Sequence, residues 1–376
     1  MIKIAIAGDF CPINRVDKLL NENKYESILG EIRPLLKVAD YSIVNLECPV
    51  IPERGKPILK RGPILGCSPS AINAIKYAGF KMVALANNHI YDYGDEGVIS
   101  TITACLATDI DTVGGGRNLS EAKNIKYISI KNRHFAFLNF CENEFSIATS
   151  KHGGSNPLDL ISNSYQIKDA KQNADYVIVL VHGGHEHYQL PSKRMKDLYR
   201  FFIDSGADSV INNHQHCFSG YEVYHQKPIF YGLGNFCFDW PGRRNSKWNE
   251  GYMIVLTFDD GRIEFQLNPY IQGDHNPGIV QIKDISEFNI KINELNEIIA
   301  DDEKLEIAFY EFVNSIRDEM LLAFEPYSNK YLKALRRRKL IPSFISPKRL
   351  LILKNIVECE SHKDVLLHAV NKLLFR

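Results

Sequence analysis

The sequence predicts an α/β protein with a separate, all-helical C-terminal extension. Three observations carry this. Short apolar runs of strand length alternate with helical segments from residue 2 to residue 267. Five of these runs end in a carboxylate, amide or imidazole side chain. Beyond residue 280 glycine disappears and helical periodicity takes over. The expected parts are 1–275, α/β, and 276–376, helical.

In chain order, Ile2 to Ala7 is a strand interrupted only by Lys3, ending at Gly8-Asp9. A polar helical segment is expected over Val16–Val38, then a strand from Tyr41 to Glu47. Residues 49–69, rich in Pro, Gly, Lys and Arg, read as a loop. Pro69 starts a helix that Gly79 closes, with Ala71, Ile72, Ala74, Ile75 and Ala78 as its apolar face. The strand Lys81–Ala86 leads into Asn87-Asn88-His89, and Gly94–Thr108 is a helix. Val113–Arg117 is a turn, and 125–130 with 134–140 make a hairpin. The most apolar strand, Asp175–Val181, runs into His182. A helix over Pro191–Ser205 precedes the strand that ends in His214-Gln215-His216. Hairpins over 221–231 and 252–267 complete the β-rich part. Helices follow at 287–300, 303–324, 328–340, 348–359 and 363–374.

The five strand ends deliver Asp9, Glu47, Asn88-His89, His182 and His214-x-His216. Ligands of open α/β sheets gather at the carboxyl ends of strands. Any one of these residues alone reads as a helix cap or a satisfied core histidine; five at the same ends point to a metal site. Carboxylates, an amide oxygen and imidazoles with no compulsory thiolate suit Mn²⁺, Fe²⁺ or Zn²⁺. Two imidazoles two residues apart either reach two adjacent ions or bind one and orient the other. Two ions sharing a carboxylate clamp a phosphoryl group for in-line attack.

Composition narrows the setting. The charges balance, 45 acidic against 45 basic, so global charge favours no partner. The apolar start is too short for a signal peptide, and no run reaches the roughly 20 apolar residues that span a bilayer. Eight cysteines without a C-x-x-C pair fit neither a disulfide framework nor a zinc ribbon, so a reducing cytoplasm is expected. The Gly114–Gly116 run lacks the Lys-Ser/Thr of a phosphate loop and reads as a turn.

The motifs GDFCPINR (8–15), VNLECP (44–49), LANNHIYDYGDEG (85–97), VGGGRNLSEA (113–122), VHGGHEHY (181–188), NNHQHCFSGYE (212–222) and PIFYGLGNFCFD (228–239) resemble the CapA family. That family is linked to capsule and poly-γ-glutamate synthesis and belongs to the calcineurin-like metallophosphoesterase superfamily. The resemblance covers residues 1–240 and implies a two-sheet αββα sandwich holding two divalent ions, Mn, Fe or Zn. By it, Asp9 and His216 bind the first ion, Asn88, His182 and His214 the second, and Glu47 bridges them. His89, oriented by Asp92, protonates the leaving oxygen. Glu186, Asn235 and His185 stand near the substrate. Cys11 occupies a position where many phosphoesterases place a histidine; a thiolate there would ligate zinc, and a small buried side chain is the other reading.

The implied activity is a metal-dependent phosphoesterase-like hydrolase in a cell-envelope polymer pathway. A non-catalytic, metal-stabilised module for an anionic polymer or its membrane synthase is the alternative from another class, and a metal-dependent amide hydrolase is a third. Residues 327–354 contain nine Lys or Arg and no Asp or Glu. Such a run is either a solvated face or a surface for an anion: a membrane, an acidic polymer or a membrane-associated synthase. The aromatic residues interleaved there are too few for nucleic acid. The expected location is cytoplasmic, with this segment able to attach to the membrane periphery.

Overall fold

A computed structural model describes all residues except 61, 323, 328, 359–361, 363–365, 367–369, 371–373, 375 and 376. The chain opens with four strands that pair in parallel, β1 (Ile2–Phe10), β2 (Tyr41–Leu46), β3 (Met82–Ala84) and β4 (Asp111–Val113). Then come β5 (Gly115–Gly116), β6 (Lys126–Ile130), β7 (Arg133–Cys141) and β8 (Gly154–Ser155). They are followed by β9 (Tyr176–His182), β10 (Ser209–Asn213), β11 (Tyr221–Tyr224), β12 (Lys227–Phe230) and β13 (Asn235–Cys237). The series ends with β14 (Glu250–Asp259), β15 (Arg262–Ile271) and β16 (Val280–Gln281).

One sheet has the order β16-β15-β14-β1-β2-β3-β4, with β13 also paired to β1. The other is β11-β12-β10-β9-β7-β6, and β5 with β8 forms a small third. The two large sheets face each other. Ile4 and Ile6 of β1, Ile43 and Met82 pack against Phe135, Phe137, Ile178, Leu180 and Ile211 of the second sheet. Ala5 and Ala7, pointing the other way, pack under Val16, Leu20, Ile72 and Ile75 of the covering helices. Burial on both faces is why β1 reads as a continuous apolar run. Helices Leu160–Asn173 and Lys193–Asp204 cover the outer face of the second sheet. The layers are therefore helices, sheet, sheet, helices: a mixed α/β protein.

Local differences from the sequence reading have local causes. The segment expected as one helix over 16–38 is three short helices, Arg15–Asn21, Tyr25–Leu29 and Arg33–Lys37. Asn23 adopts a left-handed backbone (φ 57°) that interrupts it, and Pro34 cannot donate to a preceding turn. Helix Leu160–Asn173 gives almost no sequence signal. Its first apolar residues, Leu160 and Ile161, are exposed, and Asp159 caps it by accepting from Ser162 N. Gly115 and Gly116 form β5 rather than an isolated turn. The seven described cysteines are free and buried.

Contacts divide the chain into a unit Met1–Glu306 and a unit Ile307–Arg376, whereas composition drew the line at 275. Helix Ser286–Ala300 belongs to the first unit because Phe288 and Ile292 complete the inter-sheet core. In the second unit, buried Glu325 accepts from Arg336 Nε (2.9 Å) and Phe344 N (2.9 Å). The expected helix over 363–374 and Cys359 lie largely outside the described residues. No described helix is long and apolar enough to cross a membrane.

Candidate metal centre

The parallel strands β1, β2, β3, β9 and β10 all end at one rim, and each end supplies donors. Asp9 lies at the end of β1, which needs Gly8: a Cβ there would fall 1.8 Å from the carbonyl oxygen of Gly234. Glu47 follows β2, its N–H donating to Phe10 O (3.0 Å). His182 ends β9. His214 and His216 follow β10 with left-handed backbones, φ 97° and 55°. Non-glycine residues pay for such conformations, and they cluster where a site dictates geometry.

Two groups of buried donors result, Asp9–Glu47–His216 and Glu47–His182–His214, sharing Glu47. Asn88 Oδ1 and His214 Nδ1 lie 3.0 and 3.1 Å from His182 Nε2, so the three converge on one point. Glu47 Oε1 is 3.5 Å from both His182 Nε2 and His216 Nε2. Neither Glu47 oxygen has a hydrogen-bond partner among the described residues, although both are buried. A buried carboxylate without donors is costly, and a cation on each side would satisfy it. The donor set thus fits two divalent ions.

The surrounding residues hold the donors in place. Asn45 Nδ2 donates to Asp9 Oδ1 (2.7 Å) and lies 3.3 Å from His182 Nδ1. Asn235 Oδ1 is 2.9 Å from His216 Nδ1, while its amide nitrogen donates to His216 O and Trp248 O. If His216 donates from Nδ1, its Nε2 is left toward Glu47. Asn235 is fully buried and orients His216 instead of facing a substrate.

Burial pushes the Asp9 carboxyl up to about 6, against the pull of the Asn45 amide. Burial, and then the adjacent Asp9 charge, raises Glu47 well above the usual carboxylate range. Burial and the neighbouring His214 hold His182 and His216 well below the usual imidazole range. Neutral His182 and His216 keep lone pairs for a metal, and a bound cation would favour the ionised form of Asp9 and Glu47.

A cavity of about 270 Å³ opens on this centre, lined among others by Asn88, His89, His216, Glu186 and Lys60. His89 Nδ1 is 2.7 Å from Asp92 Oδ2, which also accepts from Leu65 N (2.7 Å). Asp92 Oδ1 takes the Lys60 ammonium, which lies 3.0 Å from His89 Nδ1. Glu186 is exposed at the rim. His185 is not among the lining residues and packs beside Tyr188 (ring centroids 6.4 Å). Cys11 lies buried in the core on the helix side of the first sheet, outside both donor groups; burial pushes its thiol up to about 11.

Sequence reasoning missed Asn45, Lys60 and Glu144. Glu144 Oε1 lies 3.7 Å from His214 Nε2, and its Oε2 accepts from Asn88 Nδ2 (3.4 Å). An asparagine inside a buried strand was a usable signal for Asn45. Lys60 sits in a loop without periodicity, and Glu144 follows a strand read only as half of a hairpin.

Fold and site together define a mixed α/β protein with a buried, two-lobed, metal-competent centre at the strand ends. Residues 3–240 match the family described as bacterial capsule synthesis protein PGA_cap, and the chain belongs to that family. It is 36% identical over 246 residues to "Capsule biosynthesis protein CapA" of Bacillus anthracis, covering 63% of this chain and 60% of that one. It is 31% identical over 251 residues to "PGA biosynthesis protein CapA" of Bacillus subtilis, covering 65% and 66%. A "Probable polyglutamine synthesis accessory protein" of Mycobacterium tuberculosis is 24% identical over 252 residues, covering 61% and 65%. The chain thus spans less than two thirds of the length of each of these relatives.

Proposed function

We propose that the protein is a dinuclear-metal hydrolase of capsule or poly-γ-glutamate synthesis, acting on a phosphoester in a metallophosphoesterase-like sandwich. The observation that carries this is Glu47, buried, without hydrogen-bond partners and common to both donor groups. Bound divalent ions would supply electrostatic stabilisation of the attacking and leaving oxygens. Asp9, Glu47 and His216 would hold one ion, and Glu47, Asn88, His182 and His214 the other. His89 stands at the cavity mouth with its Nδ1 engaged by Asp92, so its Nε2 is the atom available to pass a proton to the leaving oxygen. Arg243 lines the same cavity and would face an anionic substrate, beside the carboxylates Glu144 and Glu186. Asn45 and Asn235 keep the donor atoms aimed. The layer order, two facing sheets covered by helices, supports the sandwich assignment.

The test is turnover of an aryl phosphate monoester and diester with Mn²⁺, and again after chelation. Turnover that chelation removes and Mn²⁺ restores is expected. Absence of turnover, together with no melting shift on adding Mn²⁺, Zn²⁺ or Fe²⁺, would overturn the reading.

A further inference from the structure

The second unit carries a surface that the metal centre does not use. Residues 327–354 hold nine cations and no acidic residue. Among the described residues Arg336 is neutralised by Glu325 (2.9 Å) and Arg337 by Glu319 (2.6 Å). Arg338, Lys339 and Lys348 are exposed and have no carboxylate partner among the described residues. Cations left unpaired side by side repel one another, and an anionic partner removes that cost.

Large apolar side chains stand among these charges. Tyr331 is 71% exposed, Leu340 66%, Leu351 69% and Ile352 53%. On helix Pro347–Glu358, Lys348, Leu351, Ile352 and Asn355 follow the i, i+3, i+4, i+7 spacing and are all exposed, so one stripe presents a cation beside two apolar side chains. Leu353 and Ile356, less exposed, line an apolar groove with Phe324 and Ile345, and Ile352 borders both this groove and the exposed stripe.

We propose that residues 330–357 dock on an anionic lipid surface. Charge complementarity selects the sign of the partner, and the interleaved leucines and isoleucine select one with an apolar interior beneath its charge. A soluble acidic polymer would satisfy the cations and leave Leu351 and Ile352 in water. A bilayer interface accepts both, with apolar side chains in the acyl boundary and ammonium groups among the headgroups. Attachment would be from the side, since no described helix can cross a membrane.

The test uses the full chain and vesicles of phosphatidylcholine, with or without phosphatidylglycerol, in flotation assays at low and high salt. Binding to the phosphatidylglycerol vesicles that falls with salt is expected, with none to phosphatidylcholine alone. The variant Arg338→Glu/Lys339→Glu/Lys348→Glu should bind at least tenfold more weakly, since each cation near such a surface contributes roughly fivefold. Leu351→Ser/Ile352→Ser should weaken vesicle binding while leaving the salt dependence in place. Circular dichroism of both variants checks that the helices persist; these side chains are exposed, so they should. Failure of the wild-type chain to float with anionic vesicles would overturn the proposal. So would equal binding to neutral vesicles, or binding to soluble poly-glutamate that is as tight and indifferent to Leu351→Ser/Ile352→Ser. A change from dimer to monomer in the serine variant, without loss of flotation, would assign the apolar stripe to a second copy and overturn it as well.

Discussion

Replacing Lys60 by methionine is the most informative single change in the first unit. The Lys60 side chain is 2% exposed and its partner Asp92 0%, so the ion pair is out of water. Methionine keeps the apolar stem but leaves a buried carboxylate without its cation. Removing one partner of such a pair costs about 3–5 kcal/mol. Asp92 retains its bonds from Leu65 N and His89 at Oδ2, so the lower end, about 3 kcal/mol, is expected. Asp92→Asn should cost a similar amount by stranding the ammonium. Independent effects would then sum to about 6 kcal/mol in the double variant. A neutral Met–Asn pair strands no charge, so the double variant should cost close to one single change, a coupling of about 3 kcal/mol. Urea unfolding of the metal-free protein measures this. Tryptophan fluorescence is the right probe, because the chain's two tryptophans, Trp240 and Trp248, both belong to the first unit. Single variants that lose less than about 1 kcal/mol, or a double variant that is additive, would refute a tightly coupled buried pair.

Other outcomes follow from the centre. His214→Ala should lose bound metal and hydrolysis together, whereas His89→Ala should keep metal and lose hydrolysis; equal metal loss in both, by elemental analysis, would contradict the assignment of His89 as a proton donor. Gly8→Ala places a methyl against the Gly234 carbonyl, a backbone atom that cannot swing aside; a loss of about 1–3 kcal/mol and weaker metal binding are expected, and wild-type values in both would show that β1 has room to move. The pH dependence has a definite sign. The Asp9 carboxyl titrates near 6 in the metal-free fold and near 3.8 when unfolded, so its contribution to metal-free stability is full below 3.8 and is lost as pH rises through about 6. The loss is about 3 kcal/mol by that shift, and an adjacent cation offsets it. His182 and His216 act oppositely: held low by burial, they favour the fold above the ordinary imidazole range and lose that contribution as pH falls below 6.5. The Mn²⁺-induced rise in melting temperature should therefore grow between pH 5 and 7, with proton release on binding; a pH-independent shift would contradict it.

The donors were legible in the sequence because each sits immediately past an apolar run, and a strand end fixes where a side chain emerges. His182 and the His214/His216 pair needed no more than that. Of their supports, only Asn45 left a signal in the sequence. Lys60 reaches the site through a loop whose path depends on Ile58 N donating to Asp92 O (2.9 Å), a contact 34 positions away that no periodicity announces. Asn235 looked like a pocket residue because its motif borders the site, but whether an amide faces inward or outward is decided by the pairing of β13 with β1. Helix Leu160–Asn173 escaped for the opposite reason: only Ile167 and Ala170 among its apolar side chains are buried, too few to mark a face.

The route of the chain through the centre also constrains how the site can be born. Asp9 and His214, which share a hydrogen bond, are 205 positions apart. During synthesis Asp9 and Glu47 leave the ribosome long before either histidine of the His-x-His pair. One flank of β1 stays bare until β13 and β14 arrive, so an apolar edge is exposed for most of translation and invites a chaperone. Until β9 and β10 emerge, the nascent chain offers Asp9 and Glu47 without His182, His214 or His216, oxygen donors of the kind that favour magnesium or calcium. The imidazoles, which suit transition metals, join the donor groups only once β9 and β10 have been made.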